Sequence, residues 1–139
     1  MAYLTYTSLN SQVGEQRYCV ARDIEFTTLT SCVVVVAESA SYFNQVIGAH
    51  LVLVGTDGAF DQAAADEVID VFRNATGRTY VLGNIDFWDG QEGGIGAAFN
   101  HMVQNLPDAR VVNTGGAEIT ASIEGGSIAY RANGVRGHA

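Results

Sequence analysis

The chain predicts an α+β fold: a sandwich of mixed, largely antiparallel β-sheets with two flanking helices, forming one domain over residues 1–139. Two patterns predict it. About seven or eight short apolar or alternating runs read as strands, and two longer stretches carry apolar residues at helical spacing. The runs do not alternate strand with helix as a doubly wound sheet requires, and two helices are too many for an all-β sandwich, which leaves sheets flanked by helices. Hydrophobic residues make up 47% of the chain and no low-complexity tract interrupts it, so a packed core is expected rather than disorder.

Taken in order, Ala2–Thr7 and Gln16–Ala21 read as short strands, and Ile24–Thr28 as a third. Val33–Val36 and the run 46–54 are β-branched and apolar, as buried strands are, with a polar turn between them. Gly55-Thr56-Asp57-Gly58 is a loop. Asp61–Thr76 reads as an amphipathic helix, with Ala64, Ala65, Val68, Ile69, Phe72 and Ala75 on one face and Gly77 where a C-cap belongs. Arg78–Leu82 is a strand, and residues 84–94 read as a loop. Ile95–Leu106 is the second helix, its stripe made by Ile95, Phe99, Met102, Val103 and Leu106, with His101 beside the stripe and Pro107 ending it. Ala109–Asn113 is a strand. Ala117–Ile123 and Ser127–Arg131 form a hairpin around Glu124-Gly125-Gly126.

Charge excludes one function class. The formal charge is −8, with seven arginines and no lysine, which disfavours a nucleic-acid backbone as partner. No apolar run approaches the roughly 20 residues of a membrane-spanning helix. Met1-Ala2-Tyr3-Leu4-Thr5 shows no signal-peptide pattern, so a cytoplasmic location is expected. Asp57, Asp61 and Asp66 are acids around a helix N-terminus with no His or Cys among them, so no metal site is expected there, nor any cofactor. Phe87 and Trp88, set among acids and glycines, suggest a surface contact for a protein partner; the competing reading is that they cap the core.

Two residues stand out as chemistry. Cys32 leads into the Val33–Val36 strand, and His50 lies in the next. Ser41 is midway between them, so an antiparallel hairpin without a bulge would set them directly opposite, with Cβ atoms about 4.5–5.5 Å apart. That is within reach for an imidazole to take a thiol proton. A bulge or shifted turn would separate them, and both are also ordinary core residue types. Cys19, without a histidine at like spacing, reads as structural.

The string Thr27-Thr28-Leu29-Thr30-Ser31-Cys32-Val33, followed by Gly48-Ala49-His50-Leu51-Val52-Leu53, resembles the signature of the chemoreceptor glutamine deamidases of the CheD family. The same Cys–His core occurs in the cytotoxic necrotizing factors and the Burkholderia lethal factor. The order of later elements over roughly 24–132 is also similar, although Thr30 replaces the family's Gly, Val54 stands where a Pro is usual, and Leu82-Gly83-Asn84 stands in for a Gly-Gly-Ala segment. The resemblance implies a cysteine-dependent protein-glutamine glutaminase. Cys32 would be the nucleophile and His50 its base, with Thr27 or Thr28, or else Thr30 or Ser31, orienting the ring and the backbone N–H groups of Ser31 and Cys32 holding the oxyanion. The substrate would be a glutamine-bearing protein, met either as a chemoreceptor-type modifier or as a small toxin delivered into a host cell. A non-catalytic protein-binding module of the same fold, or a transglutaminase, are the alternatives.

Overall fold

A computed structural model describes residues 4–6, 12–26, 32–41, 44–52, 54–55, 58–89 and 94–137. The chain runs β1 (Thr5–Tyr6), β2 (Gln12–Val13), β3 (Arg17–Ala21), β4 (Asp23–Phe26), β5 (Val33–Ser39), β6 (Val46–Leu51), β7 (Val54–Gly55) and β8 (Gly58–Ala59). It continues through α1 (Gln62–Val71), β9 (Ala75–Gly83), α2 (Ile85–Asp89), α3 (Gly94–Asn105), β10 (Ala109–Asn113), β11 (Ile119–Glu124), β12 (Ser127–Ala132) and β13 (Val135–Arg136). Two sheets carry the fold, ordered β1-β3-β6-β5-β9-β10 and β13-β12-β11-β4-β2. Most pairings are antiparallel; β1 with β3, β2 with β4 and β9 with β10 are parallel. The architecture is the α+β class expected, with one more helix than the sequence suggests.

Strands β5 and β6 are central, and their residues are buried on both faces. Strand periodicity sends Val34, Val36, Gly48, His50, Tyr80 and Leu82 to one side. There they meet the second sheet: Tyr80 packs edge-on against Tyr130 at 4.9 Å between ring centroids. Gly48 makes room for that sheet, since a Cβ on it would lie 3.0 Å from both Ile24 Cδ1 and Phe26 Cζ. Val33, Val35, Ile47, Ala49 and Val81 point the other way, toward the helices.

The β5–β6 register differs from the expectation. Val34, not Cys32, stands opposite His50, and Val33 pairs with Leu51. The register is displaced by two residues from one centred on Ser41: the Ser39 N–H donates to the Gln45 carbonyl at 2.8 Å, and Asn44 takes a left-handed φ of 57°. Cys32 therefore lies diagonal to His50. The offset is two residues, an even number, so both side chains keep the same face.

Three local expectations are also corrected. The first helix ends at Val71, followed by a 3-10 turn over Phe72–Asn74. Gly77 is no cap but sits in β9 with φ +71°, at the irregularity where Ala37 pairs Thr79 and Glu38 pairs Thr76. Two residues are thus accommodated as a bulge, where glycine takes the positive φ without steric cost. The 84–94 stretch holds α2, anchored by Asn113: its Oδ1 accepts the Ile85 N–H at 3.0 Å and its Nδ2 donates to Asp86 at 3.1 Å. Asp61 does cap α1, its carboxylate accepting the Ala64 N–H at 2.9 Å.

Candidate functional site: a thiol, an imidazole and a carboxylate

His50 is fully buried in β6 and held from three sides. Its Nδ1 lies 3.1 Å from the Val13 carbonyl. A carbonyl only accepts, so Nδ1 carries a proton and the neutral ring has its lone pair on Nε2. Phe26 packs edge-on against the ring at 5.9 Å, in the room that Gly48 leaves. The backbone is held as well, the Gln16 N–H donating to the His50 carbonyl at 2.8 Å. One short segment, Val13 to Gln16, thus fixes both the ring and the main chain of His50. It is a tight turn in which the Arg17 N–H returns to the Gly14 carbonyl at 3.2 Å and Gln16 takes the left-handed φ of 59°.

The same turn presents Glu15. The Cys32 thiol donates to its carboxylate at 3.3 Å, and one ligand atom each from Glu15, Cys32 and His50 lie within 4.8 Å of one another. Glu15 is exposed while Cys32 is 2% accessible, so solvent reaches the cluster from the Glu15 side. Cys32 is held in turn by β9. Its carbonyl accepts the Asn84 N–H at 3.3 Å, and Gly83, at φ +129°, lies so close that a Cβ on it would stand 2.5 Å from the Cys32 oxygen. The Gly83 carbonyl is capped by the N–H groups of Thr114 and Gly115 at 2.9 and 3.0 Å, which locks this conformation from the turn after β10.

Burial lowers the His50 pKa from its ordinary value, against smaller raising effects from the Val13 carbonyl and the Glu15 charge. The ring is therefore neutral near pH 7 and able to accept a proton at Nε2. The thiol proton has two acceptors at hand, an imidazole and a carboxylate. Cys19 faces the same side as Gly48, outside the Glu15–Cys32–His50 group, and burial pushes its thiol up to about 11.

No family model matches this chain, and no curated protein does.

Of the residues singled out in the sequence, the fold brings Cys32 and His50 together. Thr27, Thr28, Thr30 and Ser31 lie outside the described residues. Trp88 does not serve as a surface anchor: it is 0% exposed, wedged against Phe60 at 5.1 Å and Phe99 at 5.6 Å between ring centroids, because the α2 turn points it inward. Phe87, its neighbour, is 45% exposed. His101 is a half-exposed helix residue paired with Asp66 at 2.8 Å. Among the described residues, no helix is long and apolar enough to cross a membrane. A cavity of about 580 Å³ opens between Glu38, Arg78, Tyr80 and Arg136. Glu38 lies six residues along the chain from Cys32, roughly 20 Å at strand rise, so this cavity is not the thiol site.

Val13 and Glu15 were not visible in the sequence. A main-chain carbonyl has no residue signature, and Glu15 is one of fifteen acids. The signal available was Gly14 between two short strands, which marks a turn but not what that turn touches.

Proposed function

We propose that the protein is a cysteine-dependent protein-glutamine deamidase of the CheD-like and cytotoxic-necrotizing-factor-like kind. The observation that carries the reading is the clustering of Cys32, His50 and Glu15 within 4.8 Å, with the histidine tautomer fixed by Val13. The Ser31-Cys32-Val33 and His50-x-x-Leu53 strings supply the substrate class.

In the proposed reaction His50 Nε2 takes the Cys32 proton, and Sγ attacks the side-chain carbonyl carbon of a glutamine. The tetrahedral oxyanion is held by backbone N–H donors at the start of β5, with that of Cys32 among them. Collapse expels ammonia, which takes its proton from the imidazolium. Water, deprotonated by the same Nε2, then cleaves the thioester to leave glutamate and the free thiol. The Val13 carbonyl does for the ring what a third side chain does in other thiol enzymes: it fixes the tautomer and steadies the imidazolium. Being neutral, it gives less charge stabilisation than a carboxylate, and Glu15 supplements it.

The substrate is a folded protein. Phe87 suits a docking contact, since its helix begins one residue after Asn84, the residue whose N–H holds the Cys32 carbonyl. An exposed aromatic at that end of the sheet supplies remote binding energy that a free amino acid cannot use. Glu15 also favours a second reading. A carboxylate at the sulfur attracts a protonated amine, and an amine taking the thioester in place of water makes the reaction a transglutamination. The test compares ammonia release from wild type and Cys32→Ser on protein and free-glutamine substrates, with and without an added primary amine. Ammonia from protein alone, lost in the variant, supports deamidation; saturable hydrolysis of free glutamine with no protein turnover overturns it.

A further inference from the structure

We infer that Glu15, Cys32 and His50 form a binding site for one thiophilic divalent cation, with Zn²⁺ the best fit, and that occupancy silences the thiol. The binding rests on geometry alone; the silencing rests on the nucleophile reading above.

The donor set is one sulfur, one imidazole nitrogen and one carboxylate oxygen, all types that zinc takes. Zinc bonds of about 2.0–2.3 Å at tetrahedral angles set ligand atoms about 3.3–3.6 Å apart. The sulfur and the Glu15 oxygen already stand 3.3 Å apart, and no pair in the cluster exceeds 4.8 Å. With the His50 ring fixed, rotation about the side-chain bonds of Cys32 and of the exposed Glu15 would close the remaining pairs. The histidine is preset for ligation. Its Nδ1–H is on a backbone carbonyl, which leaves the lone pair on Nε2 and fixes the ring's orientation, the arrangement found behind most zinc-bound histidines. Three protein ligands leave a fourth corner for water, and the exposed Glu15 side gives the ion its path in.

Binding forms the zinc–sulfur bond and releases the thiol proton to solvent, while the carboxylate and the neutral imidazole bind without losing one. Affinity should therefore rise about tenfold per pH unit while the free thiol stays protonated. In the bound state the sulfur's electron pair and the Nε2 lone pair both lie on the metal, so neither nucleophile nor base remains.

The full reduced chain is titrated with Co²⁺ as a spectroscopic probe and then with Zn²⁺. The expected result is one Co²⁺ per chain with an intense thiolate-to-cobalt charge-transfer band. That band should persist in Cys19→Ala, vanish in Cys32→Ser, and require at least about tenfold more metal in Glu15→Gln. Saturating Zn²⁺ should displace the cobalt and slow iodoacetamide labelling of Cys32 at least tenfold, with the rate restored by a chelator. No band, a band that survives Cys32→Ser, or unchanged affinity in Glu15→Gln overturns the inference. Metal binding by a protein that deamidates nothing leaves the site standing and removes the enzyme reading; deamidation without metal binding does the reverse.

Discussion

Gly83→Ala tests how the fold holds Cys32 in place. Gly83 ends β9 at φ +129°, a conformation that L side chains rarely adopt, and holding a residue there costs of order 1–3 kcal/mol. The added methyl would also sit 2.5 Å from the Cys32 carbonyl oxygen and 3.0 Å from Val33 Cα. Both are backbone atoms, so relief needs a main-chain shift of about half an ångström or more against a strand buried on both faces, which costs a further 1–3 kcal/mol or so. The loss should total about 2–6 kcal/mol. The same shift breaks the Asn84–Cys32 hydrogen bond and moves the sulfur relative to His50. Urea unfolding gives the first quantity, and the rate of Cys32 alkylation at pH 7, measured well below the unfolding transition, gives the second. A loss under about 0.5 kcal/mol with an unchanged alkylation rate would refute the claim that β9 positions the nucleophile.

Trp88→Ala should cost about 3–5 kcal/mol, since the indole is fully buried between Phe60 and Phe99, whereas Phe87→Ala should stay within about 0.5 kcal/mol of wild type in the same urea assay. In substrate assays the order reverses for binding, with Phe87→Ala raising KM for a protein substrate while sparing folding. Stability should fall as pH drops below about 6.5, the ordinary histidine value: with the folded pKa lowered, the unfolded chain binds the extra proton. The slope from this group is at most about 1.4 kcal/mol per pH unit, and urea unfolding of His50→Gln at pH 5 and 7 should lack that part of the dependence. Glu15→Gln should speed Cys32 alkylation severalfold at pH 7, because a carboxylate 3.3 Å from the sulfur opposes the developing thiolate; an unchanged rate would remove Glu15 from the site.

Much of this was legible in the chain. Val33–Val36 and the run into His50 announced two buried strands because β-branched apolar runs have few other stable uses. The shared face of Cys32 and His50 followed from strand parity, which survives a two-residue slip; the direct pairing did not, because it depended on the turn centre, and Asn44 supplied a left-handed turn that no composition rule locates. Gly77 misled because glycine marks helix ends and strand bulges alike, and the choice was made by pairing with Ser39 and Glu38 on a distant strand. Trp88 misled because its acidic and glycine neighbours suggested surface, while the roughly 100° step between consecutive residues of α2 sends Phe87 outward and Trp88 inward. Glu15 and the Val13 carbonyl reach the site through contacts distant in sequence, the parallel pairing of β2 with β4 and the Gln16–His50 main-chain hydrogen bond, which local pattern does not encode.

The most direct test of the central claim, that Cys32 and His50 act as a nucleophile and its base, is the pH dependence of Cys32 alkylation in wild type and His50→Gln. It needs no substrate, and Cys19, buried and pushed up to about 11, contributes nothing near neutral pH. Wild type should react rapidly at pH 7 and keep its reactivity through the ordinary histidine value of about 6.5, losing it only at lower pH, because burial lowers the pKa at which the ring becomes protonated. His50→Gln should react slowly at pH 7 and gain reactivity only in the alkaline range, above the roughly 8.5 at which an exposed thiol ionises, because burial and the Glu15 carboxylate oppose the thiolate. Two superimposable curves would contradict the pairing and, with it, the proposed chemistry.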